Sequence, residues 1–272
     1  MFWTRLLSSV ILTAVTIALV IMGDLPLILA LGIISIIGLM ELFRAMGFHR
    51  TGLAYLCYII AAIYEVMIYF TGLIVLSIGV IMLMFSILTL YVLTFPKYDA
   101  KQVMGAVFGL FYVVFMLSFV FLTRITEGGE YLVWIIFIAA WGSDTLAYCT
   151  GMLIGKHKMT PILSPKKSIE GFIGGVIGAG LLGFIYTLIF KEQLSAVLPH
   201  PYAAVIITCV VCGALSVIGD LAASAIKRNY DIKDYGTLIP GHGGILDRFD
   251  SIIIAAPMAF IMIMFFFGTT TT

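Results

Sequence analysis

Charge is what this sequence has least of. Asp, Glu, Lys and Arg make up 11% of its 272 residues, against roughly 25% in an ordinary soluble domain. So few polar groups cannot clothe a water-facing exterior, which excludes a water-soluble globule. An excess of one sign is missing too: 15 Lys and Arg stand against 14 Asp and Glu, so there is no electrostatic case for nucleic acid as a partner. Cysteine is scarce. Cys57, Cys149, Cys209 and Cys212 all sit inside apolar stretches, the pattern of neither a disulfide framework nor a zinc site. What is abundant is apolar. The chain is 62% hydrophobic and 13% aromatic with a mean hydropathy of +1.17, the inverse of the disordered signature. These properties describe an integral membrane protein.

A membrane-crossing helix needs about 20 mostly apolar residues. Apolar runs fall near 2–22, 25–46, 53–70, 72–93, 102–123, 131–150, 168–190, 202–223 and 251–267, divided by punctuation such as Gly23-Asp24 and Pro96-Lys97. The expected fold is all-α: a polytopic membrane protein of about nine transmembrane helices. The first run is too long for a signal-peptide core and lacks a convincing cleavage site, so it is read as a retained span. A cytoplasmic N-terminus puts 13 of the 15 Lys and Arg on inner segments and only Arg124 and Lys191 on outer ones. That bias orients the chain with its N-terminus in the cytoplasm and its C-terminus outside. Residues 1–123 (helices 1–5) carry little that ionises beyond Glu41, Arg44 and Glu65 and are expected to be scaffold. Residues 124–272, with cytoplasmic loops 151–168 and 224–250, are the expected catalytic region.

An acidic side chain inside a span costs at least about 2.5–3.5 kcal/mol at mid-membrane, so each one marks a candidate functional site. Asp144 comes 13 residues after Tyr131 on the inward-running sixth helix, roughly 20 Å down at 1.5 Å per residue. Asp220 falls at the cytoplasmic end of the eighth helix, and the ninth begins beside Asp247 and Asp250. Acidic groups from three helices are therefore expected at one depth, facing the cytosol. Asp220, Ser224 and Lys227 follow i, i+4, i+7 and share a helix face. Carboxylates suit Mg²⁺, a hard cation with oxygen ligands that is often shared with substrate phosphates. Lys166, Lys167, Lys227, Arg228, Lys233 and Arg248 suit phosphate oxygens, Arg bidentately and Lys as a point charge. Gly243 and Gly244, after His242, would let backbone N–H groups approach an anion. Together these residues describe metal-assisted phosphoryl or nucleotidyl transfer.

At this point the motifs acquire a family. The stretch SAIKRNYDIKDYGTLIPGHGGILDRFDS, Ser224 to Ser251, resembles the signature of the phosphatidate cytidylyltransferases (CDP-diacylglycerol synthases), and WGSDTLAY at 141–148, GKHK at 155–158 and SPKKSIEG at 164–171 are similar to the same family. The resemblance implies the reaction CTP + phosphatidate → CDP-diacylglycerol + diphosphate, with Mg²⁺ required and two cations clamping nucleophile and leaving group. Carried onto this chain, it makes Asp220 and Asp247 the leading metal ligands, with Asp144 and Asp250 next. It assigns Lys166, Lys167, Ser224, Lys227, Arg228 and Arg248 to phosphates, and His242, Gly243 and Gly244 to the loop that covers them. It also implies a multi-pass protein of the cell membrane whose active site faces the cytoplasm.

Blander readings stand beside these. Asp144, Asp220 and Asp247 could each form a structural ion pair with a neighbouring base, and Asp250 could cap the ninth helix. His242 suits a loop-ordering hydrogen bond better than a metal. Gly151 to Lys156 has three residues between its glycines where a phosphate loop needs four, and is rejected as one. The pairs Gly105/Gly109, Gly171/Gly175 and Gly174/Gly178 read as close helix packing within one chain or between two, which leaves a homodimer open. Two rival functions remain: a CTP-dependent membrane lipid kinase, and a secondary transporter. The transporter would want its ionisable groups near the midplane, between matched repeats.

Overall fold

The computed structural model describes residues 2–239, 241 and 243–268. Helices cover every apolar run. In chain order they are α1 (Phe2–Met22), α2 (Asp24–Ala45), α3 (Gly52–Thr71), α4 (Ile74–Thr94), α5 (Ala100–Ile125), α6 (Gly129–Ile154), α7 (Ile169–Ile189), the short α8 (Lys191–Ser195), α9 (Pro201–Asn229) and α10 (Leu246–Gly268). Seven of them, all but α1, α4 and α8, are long and apolar enough among the described residues to cross a membrane. In α1 and α4 the shorter apolar segments Leu7–Met22 and Ile78–Thr94 qualify by composition only. The all-α membrane class follows directly from the long apolar runs. Strand occurs in one hairpin, β1 (Lys158–Thr160) paired antiparallel with β2 (Ser164–Ser168).

The chain forms two compact units. The first is Met1–Leu122 with Tyr230–Arg248, and the second is Thr123–Asn229 with Phe249–Thr272. The segment Tyr230–Arg248 belongs to the first unit. There Glu41 of α2 accepts the backbone N–H of Ile245 at 3.1 Å and of Leu246 at 2.9 Å.

Within the first unit, α3 starts where the Thr51 hydroxyl accepts the N–H of Ala54. In α5 the starting device is a capping box, with Asp99 accepting from Gln102 N–H at 2.7 Å and Gln102 Oε1 accepting from Asp99 N–H at 3.2 Å. Such reciprocal bonds satisfy orphan N–H groups that a helix start otherwise leaves bare. A π-helical turn at Leu110–Phe115 interrupts α5, next to Gly109, where an added Cβ would lie 2.5 Å from the Phe43 ring. Leu39, Leu42 and Phe43 of α2 are fully buried in this core.

Within the second unit, glycine and other small residues set how close the helices come. Gly175 of α7 faces the Ser143 carbonyl of α6, and Gly183 faces Cys209 of α9. The glycine stripe thus packs helices within the chain, and Cys209 and Cys212 are buried packing residues. An alanine Cβ at Gly175 would lie 2.7 Å from the Ser143 carbonyl oxygen and 2.8 Å from the Ala147 Cβ. Neither neighbour is a flexible side-chain end. Gly175→Ala is therefore expected to destabilise by about 1–3 kcal/mol, the scale of overpacking, read as a lower thermal midpoint in detergent. Ile177→Ala, at a site 66% exposed, should move that midpoint little; equal shifts would remove the packing explanation.

Candidate active site

In the second unit a cleft of about 430 Å³ opens beside the hairpin, and its lining includes Asp144, Lys158, Lys166, Lys167 and Asp220. Each part is placed by a local feature. α6 makes a π-helical turn at Ile138–Gly142, immediately before Ser143 and Asp144; such turns recur at functional sites because they re-aim the residues that follow. Ser168 ends β2 and caps α7, its hydroxyl accepting the N–H of Gly171 at 3.1 Å. A Cβ at Gly151 would lie 3.1 Å from that hydroxyl, so glycine lets the end of α6 close on the end of β2, the strand that carries Lys166 and Lys167. Glu170 holds the strand opposite Ser168 at the same, open end of the hairpin. Its carboxylate accepts the N–H groups of Lys156 and His157 and pairs with His157 Nδ1 at 2.6 Å.

The carboxylates of this unit are partnered but not scattered. Asp220 Oδ2 pairs with Lys167 Nζ at 2.5 Å, while its Oδ1 accepts the Ser224 hydroxyl at 3.4 Å. Asp144 Oδ2 accepts the Ser251 hydroxyl at 2.8 Å. Asp250 is buried, its Oδ1 accepting the N–H of Ser251 at 2.8 Å. It lies within electrostatic reach of Asp144, Asp220 and Lys227. Lys227 and Arg228 fall in the last turn of α9, Arg228 on its exposed side. Asp144, Asp220, Asp250, Lys167, Ser224 and Lys227 therefore form one electrostatic cluster. Among the described residues no three acidic, His or Cys side chains are placed to hold a metal ion by themselves. All the donors are hard oxygens, which fits Mg²⁺ held by one or two carboxylates and completed by water and substrate phosphate.

The first unit holds the remaining signature residues on the segment that enters α10. Asp247, 6% exposed, accepts on Oδ2 the N–H groups of Tyr235 and Gly244, both at 2.9 Å. This gives Asp247 a loop-holding role that spacing alone did not reveal. Gly243 has φ +85°, a left-handed conformation that suits glycine, and its carbonyl accepts the N–H of Ile239 at 3.0 Å. The Nε of Arg248 is buried without a hydrogen-bond partner among the described residues, a donor suited to an incoming anion. His242 lies outside the described residues. Glu41 was missed as a site-supporting residue. A carboxylate in an apolar run was visible, but its partners are 204 and 205 residues away.

The family model described as "Cytidylyltransferase family" matches residues 3–266. The chain belongs to the cytidylyltransferase family. Among its relatives, a phosphatidate cytidylyltransferase of Bacillus subtilis (strain 168) is 41% identical over 129 residues, covering 47% of this chain and 46% of the relative. One from Thermotoga maritima is 36% identical over 172 residues, 61% of each protein, so the matched stretch is under two thirds of either relative. A third, from Staphylococcus aureus (strain COL), is 30% identical over 265 residues, 96% of this chain and 98% of the relative. For a member of this family, the juxtaposition of carboxylates with lysines is the feature that bears on chemistry.

Proposed function

We propose that this cytidylyltransferase-family chain makes CDP-diacylglycerol from CTP and phosphatidate at the cytoplasmic face of the cell membrane. The observation that carries the reading is the cleft whose lining combines Asp144 and Asp220 with Lys158, Lys166 and Lys167. A triphosphate needs cations for its oxygens, and a metal bound to it needs carboxylates. In the proposed reaction a phosphatidate phosphate oxygen attacks the α-phosphorus of CTP. The new P–O bond forms as the bond to the β-phosphate oxygen breaks, and diphosphate leaves with that electron pair. No general base is required, because the attacking phosphate is already ionised near pH 7. Asp144, Asp220 and Asp250 of the second unit would hold Mg²⁺ there; within the first unit, Asp247 is the carboxylate suited to a cation. Bound there, the ion would neutralise the charge on phosphate and leaving diphosphate. Lys166, Lys167, Lys227, Arg228 and Arg248 hold phosphate oxygens, with Ser224 orienting Asp220. The bias of Lys and Arg toward one side supports the cytoplasmic placement.

Purified protein given CTP labelled at the α-phosphate, Mg²⁺ and phosphatidate should yield labelled CDP-diacylglycerol and one diphosphate per turnover. Exhaustive chelation should abolish this and Mg²⁺ should restore it. CDP together with a newly phosphorylated lipid would establish the lipid kinase instead. Full activity after chelation would overturn the metal assignment.

A further inference from the structure

Glu41 lies in the part of the chain that sequence reading left as scaffold. It is 3% exposed on α2, and its two carboxylate oxygens take separate backbone donors, Oε1 from Ile245 and Oε2 from Leu246. Those N–H groups stand at the entry to α10, where a helix has no internal acceptors for them and its dipole favours negative charge. The loop closes around the same carboxylate from two sides. A Cβ added at either Gly236 or Gly244 would collide with the Glu41 oxygens, so a side chain at either position would push the carboxylate from its place against the loop. Asp247 then ties the N–H of Tyr235 to that of Gly244. Four loop donors, at 235, 244, 245 and 246, thus end on two carboxylates, and between them they hold the start of the helix that bears Asp247 and Arg248.

We infer that Glu41 is a positioning residue for nucleotidyl transfer, fixing residues 235–247 so that Asp247 and Arg248 are held where the reaction uses them. This rests on the function proposed above. Glu41 acts through the loop and touches no substrate. Glutamine is the informative replacement. It keeps size and one acceptor oxygen but presents an NH₂ donor toward a backbone N–H that also donates, so one of the two bonds is lost.

The experiment uses the full-length protein in nanodiscs and compares wild type, Glu41→Gln and Glu41→Asp. Amide hydrogen exchange over 235–247 should accelerate in Glu41→Gln, while α7 and α9 keep their protection. Per folded molecule, kcat/KM for CTP should fall about 10-fold or more, the equivalent of losing one charge-assisted hydrogen bond. Glu41→Asp, with the charge but a shorter reach, should lie between. Faster exchange with unchanged kcat and KM would reduce Glu41 to a structural residue and overturn the inference; lost activity with unchanged exchange would overturn it too. If Glu41→Gln fails to fold, Glu41→Asp decides: faster exchange at 244–246 with unchanged kcat and KM would overturn the inference. A wild type that makes no CDP-diacylglycerol would sink the functional reading, while the exchange data would still report whether Glu41 holds the loop.

Discussion

Asp220→Asn is expected to lower kcat at least about 10²-fold, the scale for removing one strong electrostatic stabiliser from a reacting centre. Two losses combine. The amide is a poor ligand for a hard cation, and Lys167, whose Nζ is 2.5 Å from Asp220 Oδ2, is left in the cleft without its anion. Removing one partner of a half-buried pair costs more than the pair contributes, because the other charge stays desolvated. Lys167→Met separates the two losses. It leaves the carboxylate in place, so Mg²⁺ dependence should persist while the KM for CTP rises. Both variants should insert and fold, since the core of Leu132, Ile135, Val205 and Cys209 is untouched. Steady-state kinetics with Mg²⁺ titration reads the outcome. Near wild-type turnover in Asp220→Asn would remove this residue from the site.

The second large effect concerns Asp247, which holds the loop and is proposed above as a metal ligand, two roles that one pair of substitutions separates. Its Oδ2 accepts from Tyr235 and Gly244, a duty that the amide oxygen of asparagine performs equally well. Asp247→Asn therefore keeps an acceptor for both N–H groups while removing the charge, whereas Asp247→Ala removes both. If Asp247 is a metal ligand, the two variants should lose turnover alike, by about 10²-fold or more, and only the alanine variant should loosen the loop in hydrogen exchange. Asn at near wild-type turnover beside an inactive Ala would leave Asp247 with the loop-holding role alone.

How much of this was legible in the sequence differs from residue to residue. The helical runs were read to within a few residues, because twenty apolar side chains in a row have few other physical outcomes. The hairpin at 158–168 was not anticipated; SPKKS has little strand character, and the pairing follows from Glu170 pinning residues 156 and 157 at its base. Asp144, Asp220 and Asp250 announced themselves as costly charges in or beside apolar helices, and the second unit does bring Asp144 and Asp220 within electrostatic reach of Asp250. Glu41 sent the same signal and was passed over, because nothing near it in the chain suggested a partner. The small-residue pairs predicted close packing correctly, but only the fold decides that Gly175 and Gly183 meet helices of their own chain.

The sequence by itself determined the solvent, the helices and the chemical repertoire of this protein. Each is a local property: the transfer cost of a residue into lipid is paid wherever it falls in the fold, and carboxylates, lysines and glycines keep their chemistry in any context. Tertiary structure alone decided which donor meets which acceptor. Asp220 facing Lys167, Asp247 holding Tyr235 to Gly244, and Glu41 reaching an N–H 205 residues away are distances set by packing of the whole chain. Hydrogen bonds act over about 3 Å, a range on which separation along the chain carries no information.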